Sequence, residues 1–196
     1  MTDECENTTF WFSFGSTYTY LSTQRMEKLA SSRDVGLEWY PFISKGITSG
    51  TGNQSNPRKL DYMWRDLKRR TDRHGLEYNK PAIYPVDYQL TARVALIGSH
   101  EGWCPEFTKL VFRWNFVDGR QIGVEGNLEA ALRELGKDPE VVIAKAQSGK
   151  IAEAMQRQID KAVSLGIFGS PNFIAGDELF WGDDRLEEAL DWCVTH

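Results

Sequence analysis

Thr8 to Phe14 places Phe10, Phe12 and Phe14 on one side and Trp11 on the other. Apolar residues on both faces predict a buried strand. A helical pattern follows from Tyr18 to Leu29, through Leu21 and Arg25 with Met26 alongside, and Val35 to Tyr40 then predicts a second strand ended by Pro41. A strand, a helix and a strand in so short a span make a βαβ unit with a parallel pair. Ser44 to Asn56 is rich in Gly, Ser, Thr and Asn and predicts a loop. After it come only helical patterns. Asn56-Pro57 starts the first, with Leu60, Met63, Trp64 and Leu67 as its apolar stripe and Gly75 as its stop. Others are predicted over Asp87–Ser99, Pro105–Phe116, from a cap at Asn127 to Gly136, from Asp138-Pro139 to near Gly149, and over Lys150–Leu165. Near the end, Phe173-Ile174 and Leu179–Trp181 flank a turn at Ala175-Gly176-Asp177, which predicts a tight hairpin. Gly182-Asp183-Asp184 then opens a helix through Leu186, Ala189, Leu190 and Cys193, with Asp183 or Asp184 as its natural N-cap.

The order is therefore βαβ, a block of helices, then ββα. Consecutive units of this kind share a sheet. The economical assembly is one α/β domain, residues 1–42 plus 164–196, with an all-helical domain, residues 43–163, inserted between. Ligand sites in open α/β sheets lie past the carboxyl ends of parallel strands, here the loop after Phe14.

Composition narrows the function. The chain has 196 residues, 41% hydrophobic and 26% charged, which suits a globular protein with a substantial core. Its net charge of -5 argues against a general nucleic-acid or anionic-membrane binder. No apolar run approaches the length needed to span a bilayer. Cys5, Cys104 and Cys193 are far apart and form no CxxC, so reduced thiols and a cytoplasmic setting are the simplest expectation. His100 and Cys104 make at most half a metal site, and none is expected. Arg65, Lys68, Arg69, Arg70 and Arg73 share a stretch with Asp61, Asp66 and Asp72, which predicts a solvated, salt-bridged face. Trp64, Trp103, Trp114, Trp181 and Trp192 are expected as core and pocket wall.

Two places carry candidate chemistry. Ser16 follows the first strand and opens a helix. It is either an N-cap or a hydroxyl that helps hold an anion such as a ligand thiolate. In Gly166-Ile-Phe-Gly-Ser-Pro171, the Ser170-Pro171 bond is a candidate cis peptide whose backbone can pair with an extended, peptide-like molecule. The Asp183-Asp184 pair offers carboxylates to a ligand ammonium. A plain hairpin with a capped helix accounts for the same residues.

Taken together, Phe12-Ser-Phe-Gly-Ser-Thr-Tyr-Thr-Tyr-Leu21, Gly52-Asn53 with Pro57-Arg58-Lys59, Tyr62-Met63 with Asp66-Leu67, Gly166–Pro171 and Phe180-Trp-Gly-Asp-Asp-Arg185 resemble the family of 2-hydroxychromene-2-carboxylate isomerases and kappa-class glutathione transferases. The resemblance covers nearly the whole chain. It implies an α/β thioredoxin-like fold of the DsbA-like kind, βαβ…ββα with a large all-helical insertion, and glutathione as cofactor. It implies that Ser16 hydrogen-bonds the glutathione sulfur and that Ser170 and Pro171 pair with its cysteinyl part. Asp183 and Asp184 are implied at the γ-glutamyl end, and Asn53 and Lys59 at the tripeptide or substrate. Thr17, beside Ser16 at the cofactor site, stands where the family often has Pro; Asp183 stands where its isomerases commonly have Gln. The resemblance further implies a small aromatic substrate, a homodimer, and an isomerase acting through a bound thiolate. A kappa-like transferase is the alternative, and a non-catalytic thioredoxin-like peptide-binding module is the reading from another class. A DsbA-type dithiol needs thiols three apart, and Ser16 and Thr19 stand at those places.

Overall fold

The computed structural model describes residues 5–45, 47 and 56–196. Strand β1 (Asn7–Phe12) runs parallel to β2 (Gly36–Pro41). Strand β3 (Asn172–Ala175) is antiparallel to β1, and β4 (Glu178–Trp181) is antiparallel to β3. The sheet order is β2-β1-β3-β4, which puts β1 at the centre beside the incoming cis-proline loop. The alternation seen in the sequence decides the faces. Phe10, Phe12 and Phe14 enter the main core with Trp39 and Phe173, while Trp11 lies on the opposite face and stacks on Tyr40 at 4.6 Å. The outer edge of β2 is covered: Ser99 Oγ donates to the Trp39 carbonyl at 3.0 Å and Gln158 Nε2 to the Pro41 carbonyl at 3.3 Å. Side chains that satisfy an edge in this way remove its tendency to pair with other chains.

The helix expected over Tyr18–Leu29 is two, α1 (Thr17–Thr23) and α2 (Met26–Ser31). Thr23 Oγ1 donates back to the Tyr20 carbonyl at 2.9 Å, the local competition that hydroxyl residues offer a helix, and Arg25 turns towards the C-terminal segment. Helix α3 (Pro57–His74) begins as its sequence predicts. Asn56 Oδ1 accepts the N–H groups of Arg58 and Lys59, and Gly75 ends the helix at φ 65°. Helix α4 is Gln89–Glu101 and α5 is Cys104–Arg113, the latter continuing as a π-helical turn, Trp114–Asp118. Helix α6 (Glu125–Glu134) corrects one expectation: Asn127 lies inside it and donates to the Gln121 carbonyl, and Val124 occupies the N-cap. Asp138 caps α7 (Pro139–Gln147) and Ser148 caps α8 (Gly149–Ser164).

Helical segment and sheet share one core. Phe14 stacks on Phe112 at 5.2 Å and Tyr20 on Phe116 at 5.0 Å. The last helix, α9 (Leu186–Thr195), packs on β1 and β3 through Leu186, Ala189, Leu190 and Cys193. Cys193 forms a disulfide with Cys5, so the expectation of reduced thiols is corrected and the cysteine argument for a reducing compartment loses its premise. A separation of 188 residues hid the pair in the sequence; only the packing of α9 beside the start of β1 brings it together.

Candidate functional site

The site forms where β1 ends and the chain turns into α1. The N–H of Ser16 donates to the Ser13 carbonyl at 3.1 Å, which closes the turn Ser13–Ser16. Ser16 sits at the N-cap of α1, yet its hydroxyl does not cap the helix. It donates instead to the carbonyl of Ser170 at 2.8 Å. The Ser170-Pro171 bond is cis. Ser13 N–H donates to Ser170 Oγ at 2.8 Å, and that hydroxyl lies 3.1 Å from Thr19 Oγ1. Ser16, Thr19, Ser170 and Pro171, remote in sequence, are thus one cluster. The N–H of Ser170 donates to no acceptor among the described residues, which leaves this main-chain donor for a ligand. Thr17 is buried beside them, its Oγ1 without a hydrogen-bond partner among the described residues.

The acidic pair divides. Neither Asp183 nor Asp184 is the N-cap of α9, because both lie in a 3-10 turn, Asp183–Arg185, ahead of it. The Asp183 carboxylate is fully buried and already held. Arg25 donates to Oδ1 at 2.8 Å, Ser22 Oγ donates to it at 2.9 Å, and Arg70 Nη2 lies 3.1 Å from Oδ2. A buried charge needs such partners. Asp184 is exposed, with Arg70 Nη1 at 3.9 Å. Arg70 therefore leaves the solvated face expected of its stretch and also lies over the Tyr18 ring at 5.6 Å. Its neighbours do behave as expected: Lys68 pairs with Asp72 and Arg69 with Asp66. Burial pushes the Asp66 carboxyl up, but the hydrogen bonds from Arg69 and from Tyr18, at 2.9 Å, outweigh it and hold the group below its ordinary value. Lys59 is exposed in the first turn of α3, and Asn53 lies outside the described residues.

Sequence reasoning passed over Ser13, Arg25, Tyr84 and Tyr88. Ser13 left a signal, a lone polar residue between Phe12 and Phe14 at the end of a buried strand. The others left none, because their partners are distant in the chain. Tyr84 precedes a second cis peptide, at Pro85, and its hydroxyl donates to the Gly15 carbonyl at 3.4 Å. Trp64 meets Tyr84 edge-on at 5.1 Å, and Lys80 lies over Trp64 at 5.2 Å, so the helical segment presents an aromatic wall beside the turn.

His100 is exposed, whereas Cys104 is buried, and burial pushes its thiol up to about 11. A thiol with that value is almost wholly protonated at pH 8. With the other two cysteines in a disulfide, the native oxidised protein is expected to give no titratable thiol with Ellman's reagent at pH 8. It should give one after denaturation without reductant. Rapid labelling of the native protein would refute this arrangement.

A four-stranded sheet of this order, with hydroxyls at the two positions of its first turn and a cis-proline loop against them, defines a thioredoxin-like protein that lacks thiols at the site. The chain belongs to the DSBA-like thioredoxin domain family, whose model matches residues 8–191. It is 27% identical over 186 residues to a 2-hydroxychromene-2-carboxylate isomerase of Pseudomonas putida, covering 90% of this chain and 89% of that one. It is 23% identical over 189 residues to the enzyme of that name from Sphingobium xenophagum, covering 91% and 93%. A solved structure of a selenomethionine 2-hydroxychromene-2-carboxylate isomerase superposes with a TM-score of 0.84 at 25% identity, covering 92% of this chain and 90% of that one. The fold is also that of the cytosolic disulfide reductase DsbM from Pseudomonas aeruginosa, with a TM-score of 0.64 at 16% identity and 96% of each chain covered.

Proposed function

We propose that the protein is a glutathione-dependent isomerase of a small aromatic substrate, of the 2-hydroxychromene-2-carboxylate isomerase type. The observation that carries this reading is the Ser16 hydroxyl, 2.8 Å from the carbonyl of the cis-proline loop. There is a hydroxyl on each side of the place where a thioredoxin-like site meets sulfur, and no protein thiol there. The relatives' names supply the reaction class.

The donor set fits glutathione, which carries a thiol, peptide groups, an ammonium and two carboxylates. Glutathione, when bound, supplies a thiolate that adds reversibly to a conjugated carbon and so allows rotation about the former double bond. Ser16 turns its hydroxyl from the Ser170 carbonyl to the sulfur and favours the charged form. The free N–H of Ser170 would hold the cysteinyl carbonyl. Asp184, exposed, is the carboxylate for the ammonium, since Asp183 is occupied by Arg25 and Arg70. Lys59 and Asn53 take a carboxylate of tripeptide or substrate. The wall of Trp64 and Tyr84 bounds the apolar side, which suits a flat substrate.

Glutathione at a hundredfold excess over its dissociation constant is expected to stabilise the protein by about 2.7 kcal/mol, read as a raised melting temperature. Isomerised product should then form with glutathione regenerated. Accumulating conjugate indicates the transferase instead. A melting temperature indifferent to glutathione turns the assignment to the peptide-binding module.

A further inference from the structure

The turn that carries Ser16 is held from the helical segment. Gly15 has no side chain, and the ring of Tyr88 fills the space where one would stand: a Cβ built at Gly15 meets Tyr88 Cε1 at 2.6 Å and Cζ at 2.9 Å. Contacts that short do not occur between real side chains and rings, so the ring lies directly on the Gly15 backbone. The same side chain ends a hydroxyl chain. Tyr88 Oη is 2.9 Å from Ser44 Oγ. Ser13 Oγ donates to Ser44 Oγ at 3.3 Å and accepts the Gly15 N–H at 3.3 Å. Ser13 is fully buried, and its own N–H holds Ser170 Oγ at 2.8 Å. One buried serine therefore ties the Ser16 turn to the cis-proline loop, and Tyr88 sits at the far end of its hydrogen-bond chain.

We propose that Tyr88 is a positioning residue of the site: through Ser44 and Ser13 its hydroxyl fixes the Gly15–Ser16 turn, while its ring lies where a side chain at position 15 would have to displace it. The catalytic part of this inference rests on the glutathione-dependent reading above. Side chains that act through a fixed backbone change the rate of the chemical step more than the binding of the ligand, since small misplacements of a donor are costly there.

Tyr88→Phe keeps the ring and removes the hydroxyl. It is expected to lower kcat about tenfold while the KM for glutathione stays within about twofold. Ser13→Ala should lower kcat comparably, and adding Tyr88→Phe to it should cost little more, because both break one chain. Gly15→Ala, which drives the ring away, should match or exceed either loss. A readout independent of turnover is amide hydrogen exchange at Gly15 and Ser16, expected to quicken in Tyr88→Phe while exchange in β1 is unchanged. Wild-type kcat together with unchanged exchange in Tyr88→Phe would overturn the proposal, as would fully additive losses in the double variant. If the wild-type protein shows no glutathione-dependent turnover, the functional reading fails and the exchange measurement alone decides whether Tyr88 positions the turn.

Discussion

Ser16→Ala is expected to cut glutathione-dependent turnover by about 10²- to 10³-fold, the usual loss when one donor to a developing or resident anion is removed. The fold should survive. The Ser16 hydroxyl makes no helix cap, and the turn is closed by its N–H to the Ser13 carbonyl, which alanine retains. The sign of the pH dependence follows from which form the hydroxyl favours. On the proposed reading it would donate to the thiolate, so with serine the bound thiol is expected below its ordinary value, near 8.5. Without it the thiol rises, less of it is ionised at neutral pH, and the variant should regain activity as pH increases. Each pH unit of displacement corresponds to about 1.4 kcal/mol. Ultraviolet absorbance of the bound thiolate against pH measures the displacement directly. A variant with unchanged turnover and an unchanged thiolate titration excludes this role for Ser16.

Asp183→Ala is expected to be the most destabilising change at the C-terminal side of the site. It removes the buried carboxylate that Arg25 and Arg70 share, leaving Arg25, largely buried, with the exposed Glu187 at 3.3 Å and Arg70 with the exposed Asp184 at 3.9 Å. Removing one partner from a buried ion network costs about 3–5 kcal/mol. For a chain of this size each kcal/mol lowers the melting temperature by about 2–4 °C, so a fall of about 10 °C is expected. Asp184→Ala supplies the contrast. Its carboxylate is exposed and 3.9 Å from Arg70, so its removal should change stability by at most about 0.5 kcal/mol. Its effect should fall on glutathione affinity. Calorimetric melting of both variants, with glutathione titrations on each folded protein, separates the two roles. Asp183→Ala melting within about 2 °C of wild type would contradict the network's weight in holding α1, α3 and the 3-10 turn together.

Much of this architecture was legible from particular residues. Phe10, Phe12, Phe14 and Trp11 gave the central strand and both of its faces. Asn56-Pro57 and Gly75 bounded α3, and Ala175-Gly176-Asp177 placed the terminal hairpin. Ser16 and Ser170-Pro171 stand out in the sequence as two candidate places, which the family resemblance joins, and the fold brings them within hydrogen-bond distance. What was misjudged has a common cause. The sequence offered Asp183 to a ligand and Arg70 to solvent, and the structure gives them to each other. The sequence puts a cap at Asn127, and Val124 occupies it. Cys5 and Cys193 were expected to be reduced, and the packing of α9 joins them. Each error concerns a polar group whose partner is selected across the fold.

Periodicity and turn chemistry therefore determined the order of elements, the faces of the central strand and the pair of loops that could make a site, because these depend on neighbours within a few positions along the chain. Tertiary structure alone decided which carboxylate is spent internally, that the Ser16 hydroxyl faces Ser170 and does not cap its helix, and that Tyr88 rests on Gly15. Those outcomes depend on burial. A charge or hydroxyl removed from water must take whatever partner the packing supplies, and no local pattern records which one that will be.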